Sequence, residues 1–345
     1  MAVDGFESLG LFNYEGETVQ EEIESAQYAE EKGFSSVWQA ESRLTRDAIS
    51  ILGAYSQVTD DMTLASGVVN NWTRNVALMA QTWHTLDELS GGRAAIGIGA
   101  WWDEIAEKTG VDRRKPLRAL WEYCTVLRRL LDGENVTYDG DIIQITDVEL
   151  DIVHAESGPA NVPIYVGATG MTSHKMTGEL VGKDVCAGIL MNGLVPASHT
   201  AKGVEKLNEG VEKQGGSIED VDRPQIINTV VDEDRDVAID EAKALAVQYI
   251  GQQPHIREAS GVSDDVAEEI DEAIGGWPAG AEEIEEAKRY LPDDIATGMI
   301  AAGTPEDCVE RVQDYVDAGC THPVIYPQVG NFEKIIDTFA EHLEE

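Results

Sequence analysis

Apolar and polar positions alternate along this chain with two periods that take turns. Short apolar runs of strand length occur at Leu9–Asn13, Phe34–Gln39, Met62–Val69, Arg93–Ile98, Val162–Val166, Asp184–Leu190, Pro224–Val231 and His322–Tyr326. Between them, apolar residues recur every three or four positions, the spacing of one helix face. Val19, Ile23, Ala26 and Ala29 make such a stripe over Thr18–Lys32, which Gly33 ends. The same spacing predicts helices over about Asp47–Thr59, Asn75–Leu89, Pro116–Leu131, Gly170 to Val181, Ala197–Gln214, Arg235–Ile250, Thr304 to Gly319 and Asn331–Leu343.

The stretch from Met62 to Trp102 shows the logic most clearly. A strand leads into the turn cluster Asn70-Asn71-Trp72-Thr73-Arg74. A helix follows with Val76, Leu78, Met79, Trp83, Leu86 and Leu89 on its apolar side, and Ser90-Gly91-Gly92 stops it before the next strand. Strand, helix, strand with short links requires a parallel pair and a right-handed crossover. Eight such repeats in one order predict an α/β fold, the eightfold (β/α)8 TIM barrel with insertions, whose chemistry gathers where the strands end. An open doubly wound sheet shares the alternation. It is weakened because Gly97-Ile98-Gly99 has no third glycine at Trp102.

Two segments interrupt the repeat within a single domain spanning 1–345. Within 133–150, Asn135–Thr146 alternates around Asp139-Gly140 and predicts a β-hairpin with a two-residue primed turn. Residues 251–303 are acidic, contain Gly275-Gly276 and show helical pieces without a strand pattern.

Composition narrows the field. A 345-residue chain with 42% hydrophobic residues can bury a large core. It has no run of eighteen apolar residues and no basic-then-apolar start, so neither a membrane partner nor export is expected and a cytoplasmic protein is. Cys124, Cys186, Cys308 and Cys320 lack CxxC spacing. His84, His154, His174, His199, His255 and His322 lack ligand spacing, so no metal site is expected. The 65 acidic residues against 25 basic ones give a net charge of −40, the wrong sign for nucleic acid. The acids are spread over helix faces, as in EEIESAQYAEE and AEEIEEAK. This resembles halophilic proteins from cells holding molar salt, where screening suppresses self-repulsion.

The segments SGVVNNWTRN, TLDELSGGR, GIGA and PIYVGATG together resemble the luciferase-like (bacterial luciferase) superfamily of flavin and deazaflavin oxidoreductases. The likeness is nearest to its coenzyme F420 branch, notably the methylene-tetrahydropterin reductases, and runs through most of the chain. It implies F420 as cofactor, with FMN as the alternative. It implies a small pterin-type substrate of methanopterin or folate kind, and a homodimer or higher homo-oligomer.

The resemblance also implies roles for particular residues. Gly67-Val68 matches a pair that forms a non-prolyl cis peptide bulging against the cofactor ring, and Asn70 follows it in the cofactor-binding loop. Ala168, Thr169, Gly170 and Met171 match the loop that holds cofactor phosphate. Read bottom-up, a Gly-rich turn opening a helix also offers free amides and the positive end of a dipole. Glu41-Ser42 stands where relatives carry Asp-His, so an imidazole at that point is lost. Glu41 could accept a hydrogen bond or relay a proton, or be a solvated acid.

Arg74 could clamp an anionic ligand or pair with local acids. Trp101 and Trp102 replace the family's Gly-Asp and could wall an aromatic substrate or cover a hydrophobic patch. Asp103 or Glu104 would then supply the family's acid. Phe12 stands where the pterin reductases carry a glutamate near the transferred hydride. The basic set Arg113, Arg114, Lys115, Arg118, Arg128 and Arg129 either receives an oligoglutamate tail or pairs on the protein's own surface. Three readings follow: an F420-dependent reductase, an FMN-dependent monooxygenase, and a non-catalytic flavin-binding relative.

Overall fold

The computed structural model describes residues 5–13, 18–41, 43–152, 158–275, 279–328 and 332–344. Ser42, His154, Gly276 and Asn331, all singled out in the sequence, lie outside the described residues. Among the described residues the strands are β1 (Gly10–Asn13), β2 (Ser36–Gln39), β3 (Thr63–Ser66), β4 (Val69–Asn70), β5 (Ala94–Gly99), β6 (Val136–Asp139), β7 (Gln144–Val148), β8 (Ile164–Ala168), β9 (Gly188–Met191), β10 (Pro224–Val231), β11 (Ala301–Gly303) and β12 (His322–Pro327). The fold class is the eightfold β/α barrel with surrounding helices, and the open sheet is set aside. Each of the eight predicted runs contains a strand. The sixth begins at Gly188 rather than Asp184, because Asp184 takes a left-handed turn (φ 58°).

The chain divides into two compact units. In the unit made of Gly10–Leu190 and Lys206–Asp222, strands pair in the order β1-β2-β3-β5-β8-β9. The third predicted run is not one strand. β5 pairs with β3 up to Ala65↔Ala95 and with β4 from Val69↔Ile98. Between these pairs, Ser66, Gly67 and Val68 oppose only Ile96 and Gly97, which defines a one-residue bulge at Gly67-Val68. This unit also shows what the SGGR segment does. Gly91 (φ 71°) and Gly92 (φ 90°) reverse the chain after the helix Val76–Ser90. Arg93 then donates to the carbonyls of Ser56, Thr59, Met62 and Ser90 and to Thr59 Oγ1, fastening the loop that precedes β3.

The hairpin β6–β7 forms a separate two-stranded antiparallel sheet. Its turn is not the two-residue primed type. Gly140 N–H donates to Ile143 O at 2.9 Å across a longer connection. The cause is Glu122, fully buried on the helix Pro116–Leu131, whose carboxylate accepts the amides of Asp141, Ile142 and Ile143. Gly140 is needed for close approach, since a Cβ there would lie 2.4 Å from Glu122 Oε2.

In the unit made of Met1–Leu9, Met191–Glu205 and Arg223–Glu345, β10 pairs with β12 and, at Thr229–Val231, with β11. β11 corrects the expectation that 251–303 holds no strand, for three residues are too few to show an alternation. The helices Arg235–Ile250, Pro254–Ser260, Asp264–Ala273, Ala281–Ala287 and Asp293–Met299 share a core with Ala246, Ile250, Ile256, Ile270 and Met299. Among the described residues no helix is long and apolar enough to cross a membrane, and no cluster of metal-ligating side chains occurs.

Candidate active site

The carboxyl ends of β1–β5 and β8 bring most of the singled-out residues together within one unit. The Gly67–Val68 peptide is cis, as the resemblance implies. Gly67 rests against Phe12 and Trp38: a Cβ there would lie 2.6 Å from Phe12 Cε2 and 3.2 Å from Trp38 Cβ. Trp38 stands edge-on to Tyr165 at 5.3 Å, and its indole N–H donates to Ser36 Oγ. Phe12 is thus buried and packed against Gly67. Val68, half-buried, covers Gly97, Gly99 and Gly167. Ser66 Oγ donates to Gly97 O and accepts Gly97 N–H, locking β3 to β5 just before the bulge.

The loop after β4 is built from its own side chains. Asn70 Oδ1 accepts the amides of Trp72 and Thr73 and the Thr73 hydroxyl, so its acceptor oxygen shapes the turn. The Trp72 indole donates to Ala100 O, which also accepts from Arg113 Nε. Arg74 pairs with local acids. Its guanidinium forms a fork with Glu41, at 2.7 and 2.6 Å, and reaches Asp47 as well. The Glu41 bonds raise the Arg74 pKa above its ordinary value despite burial. Asp47 caps the helix Ala48–Tyr55 through Ser50 N–H. Burial alone would push its carboxyl up, but the Ser50 bonds and Arg74 prevail and hold it low. Glu41 is therefore the anchor that joins the loop after β2 to the loop after β4, with its two oxygens committed to Arg74.

Trp101 and Trp102 are both half-buried, and Trp101 takes a left-handed backbone (φ 62°), which ordinarily favours glycine. Asp103 and Glu104 open the short helix Asp103–Lys108 and are exposed, paired with Arg113 and Lys108. All six residues of the basic set pair with carboxylates of this chain: Asp103, Asp112, Asp141, Glu122, Asp132 and Glu134 in turn. The surface-pairing reading of that set matches the geometry.

At the end of β8, Gly167 lies under Val68 and Ala168 is buried; past the strand, Gly170 is exposed and caps the helix Met171–Val181 without a side-chain bond. The Gly170 carbonyl takes the amides of Ser173 and His174. That leaves the first amides, Met171 and Thr172, directed out of the helix start. Among the described residues a Cβ at Gly170 would meet nothing beyond its chain neighbours closer than Ser173 Oγ at 3.9 Å, so this start is sterically open to them. From Gly167 to Met171 the chain can span no more than about 14 Å. A flat ring against the bulge and an anion on these amides are thus compatible with one ligand that carries its phosphate on a short chain.

The sequence singled out Gly67, Val68, Asn70 and the Gly170 loop, but not Gly97, Gly99 and Gly167 as the bed of Val68. Their signal was present in GIG and VGA, yet it reads as strand sequence until the bulge is known.

Comparison with known proteins gives a consistent picture. The family described as Luciferase-like monooxygenase matches residues 6–322. The 5,10-methylenetetrahydromethanopterin reductase of Archaeoglobus fulgidus is 30% identical over 314 residues, 89% of each chain. The F420-dependent glucose-6-phosphate dehydrogenase of Amycolatopsis mediterranei is 26% identical over 336 residues, 92% of each. Among solved structures, the F420-dependent tetrahydromethanopterin reductase of Methanopyrus kandleri superposes with a TM-score of 0.84 at 24% identity, covering 98% of both chains.

Proposed function

This chain belongs to the luciferase-like monooxygenase family, and from that premise we propose that it is an F420-dependent reductase of a methylene-tetrahydropterin. The observation that carries the reading is the bulge at Gly67-Val68, backed by Phe12 and set one short chain-length from the open amides of Met171 and Thr172. The likeness to the Archaeoglobus reductase supplies the substrate class. Gly67 and Val68 would meet one face of the ring, and Ala168, Thr169, Gly170 and Met171 would hold its phosphate. Reduced F420, when bound, supplies the hydride.

The protein's share is then chiefly positioning. Support from Phe12 and Trp38 would keep the Gly67 backbone from yielding, which would leave the opposite face of a bound ring for substrate. Trp101 and Trp102 would wall that side against a flat pterin. One C–N bond of the methylene bridge breaks as its carbon takes the hydride, and the released nitrogen takes a proton. We assign that proton to Asp103 or Glu104 at the rim: each is exposed and meets its cation, Arg113 or Lys108, through one oxygen, whereas both Glu41 oxygens bond Arg74.

A second reading, FMN chemistry with oxygen, is favoured by the family's description as a monooxygenase. Titration of the purified protein with oxidised F420, FMN and NADPH separates the two, followed by turnover with reduced F420 and either methylene-tetrahydromethanopterin or methylene-tetrahydrofolate. Tight F420 binding with pterin-dependent F420 oxidation is expected. Bound FMN that consumes oxygen overturns the proposal.

A further inference from the structure

Gly97, Gly99 and Gly167 sit on two neighbouring strands, β5 and β8, and share one neighbour, the Val68 side chain. A Cβ on Gly99 would lie 2.6 Å from Val68 Cγ2, and the only other non-adjacent neighbour within 4 Å among the described residues would be Val68 Cβ at 3.8 Å. A Cβ on Gly167 would lie 2.7 Å from Val68 Cγ1, and its next two contacts are again Val68 atoms. Gly97 differs. Its Cβ would strike the Ser66 carbonyl oxygen at 2.0 Å before reaching Val68 at 3.1 Å. None of the three has a left-handed backbone, so space rather than φ explains the absence of side chains. Gly67, just ahead, is packed against Phe12.

We infer that Gly99 and Gly167 form a fitted recess for the Val68 side chain that sets how far the bulge projects towards the ring, making them positioning residues for cofactor binding. This rests on the F420 reading above. With Phe12 packed against Gly67, a methyl added to the recess pushes Val68 off its bed, away from β5 and β8 and towards the volume the ring would occupy. Removing the two Val68 methyls makes room for the new one. The recess and Val68 are therefore coupled, and a substitution harmful in one background is harmless in the other. Gly97 supplies an internal control, since its clash with Ser66 backbone does not depend on Val68.

The test is a set of mutant cycles on the full chain: Gly99→Ala, Gly167→Ala and Gly97→Ala, each with and without Val68→Ala. Thermal unfolding of the ligand-free protein reads the contact, and oxidised F420 fluorescence titration reads the positioning. Gly99→Ala and Gly167→Ala should each weaken F420 binding about tenfold or more, and Val68→Ala should restore most of the loss. Gly97→Ala should stay impaired in both backgrounds. Equal losses whether Val68 is intact or replaced by alanine overturn the recess. Rescue of unfolding temperature without rescue of F420 affinity overturns the positioning role while leaving the contact. A wild-type protein that unfolds cooperatively and shows the stability coupling but binds no F420 sinks the cofactor reading instead.

Discussion

Replacing Arg74 by methionine tests whether Glu41 is an anchor or a proton donor. The pair is a fork with side-chain exposures of 19% for Arg74 and 12% for Glu41. Fully exposed pairs contribute about 0.2–1 kcal/mol. Stripping one partner from a fully buried pair costs about 3–5 kcal/mol. Partial burial with good geometry places Arg74→Met between them, at about 2 kcal/mol, or roughly a thirtyfold change in the folding equilibrium. Asp47, half exposed, adds little to that sum. Glu41→Gln should cost a similar amount, and the double variant should cost less than the two together by about 1–2 kcal/mol.

The assay is urea unfolding at unchanged m-value, paired with kcat/KM under saturating reduced F420. An anchor predicts parallel, modest losses of activity for both single variants, with the double no worse. A Glu41→Gln enzyme that loses about a thousandfold in kcat while Arg74→Met keeps near-normal turnover would refute the reasoning and return the proton to Glu41.

Three further outcomes follow from other parts of the molecule. Burial pushes His322 down to about 4, while its Nδ1 lies 2.8 Å from Ser8 Oγ. The folded state binds this proton more weakly than the unfolded chain, whose pKa is about 6.5. Its contribution is therefore complete above about pH 6.5 and lost as pH falls towards 4, about 3 kcal/mol in all. His322→Asn should flatten the unfolding profile across that window, and an unchanged pH dependence would count against it. Glu122 is pushed up by burial but pulled lower overall by the amides of Ile143, Ile142 and Asp141 and by Arg118. Its contribution is present above the ordinary carboxylate value and disappears as pH falls through the lower folded value. Glu122→Gln should accelerate hydrogen exchange at 141–143 and leave exchange in β5 unchanged, and uniform acceleration would show that it does more than hold the hairpin. The net charge of −40 predicts that unfolding temperature rises steadily between dilute buffer and about 1 M salt. An unchanged melting temperature across that range removes repulsion as a destabilising force.

What could be read from the residues alone was whatever depends on neighbours in sequence. The eight strand positions, the helix stripes and the glycine stop at Gly91-Gly92 follow from periodicity and backbone freedom, both local properties. The family motifs were legible too, although their physical content was not. SGGR proves to be a helix stop plus an arginine that laces a loop through five hydrogen bonds, and GIG proves to be space for a valine.

The tertiary structure alone decided pairings between distant residues. Which acid Arg74 holds, why Gly140 cannot carry a side chain and which strands lie beneath Val68 all depend on atoms far apart in the chain. Arg74 and Glu41 are 33 positions from one another. With 65 acidic side chains available, charge complementarity by itself left Arg74 with many possible partners. Folding selects among them because, among the described residues, only Glu41 and Asp47 stand where the ends of β2 and β4 bring them within hydrogen-bonding distance. Local pattern thus set the elements and their order, while close packing between them, acting over a few ångströms, chose the contacts that make a site.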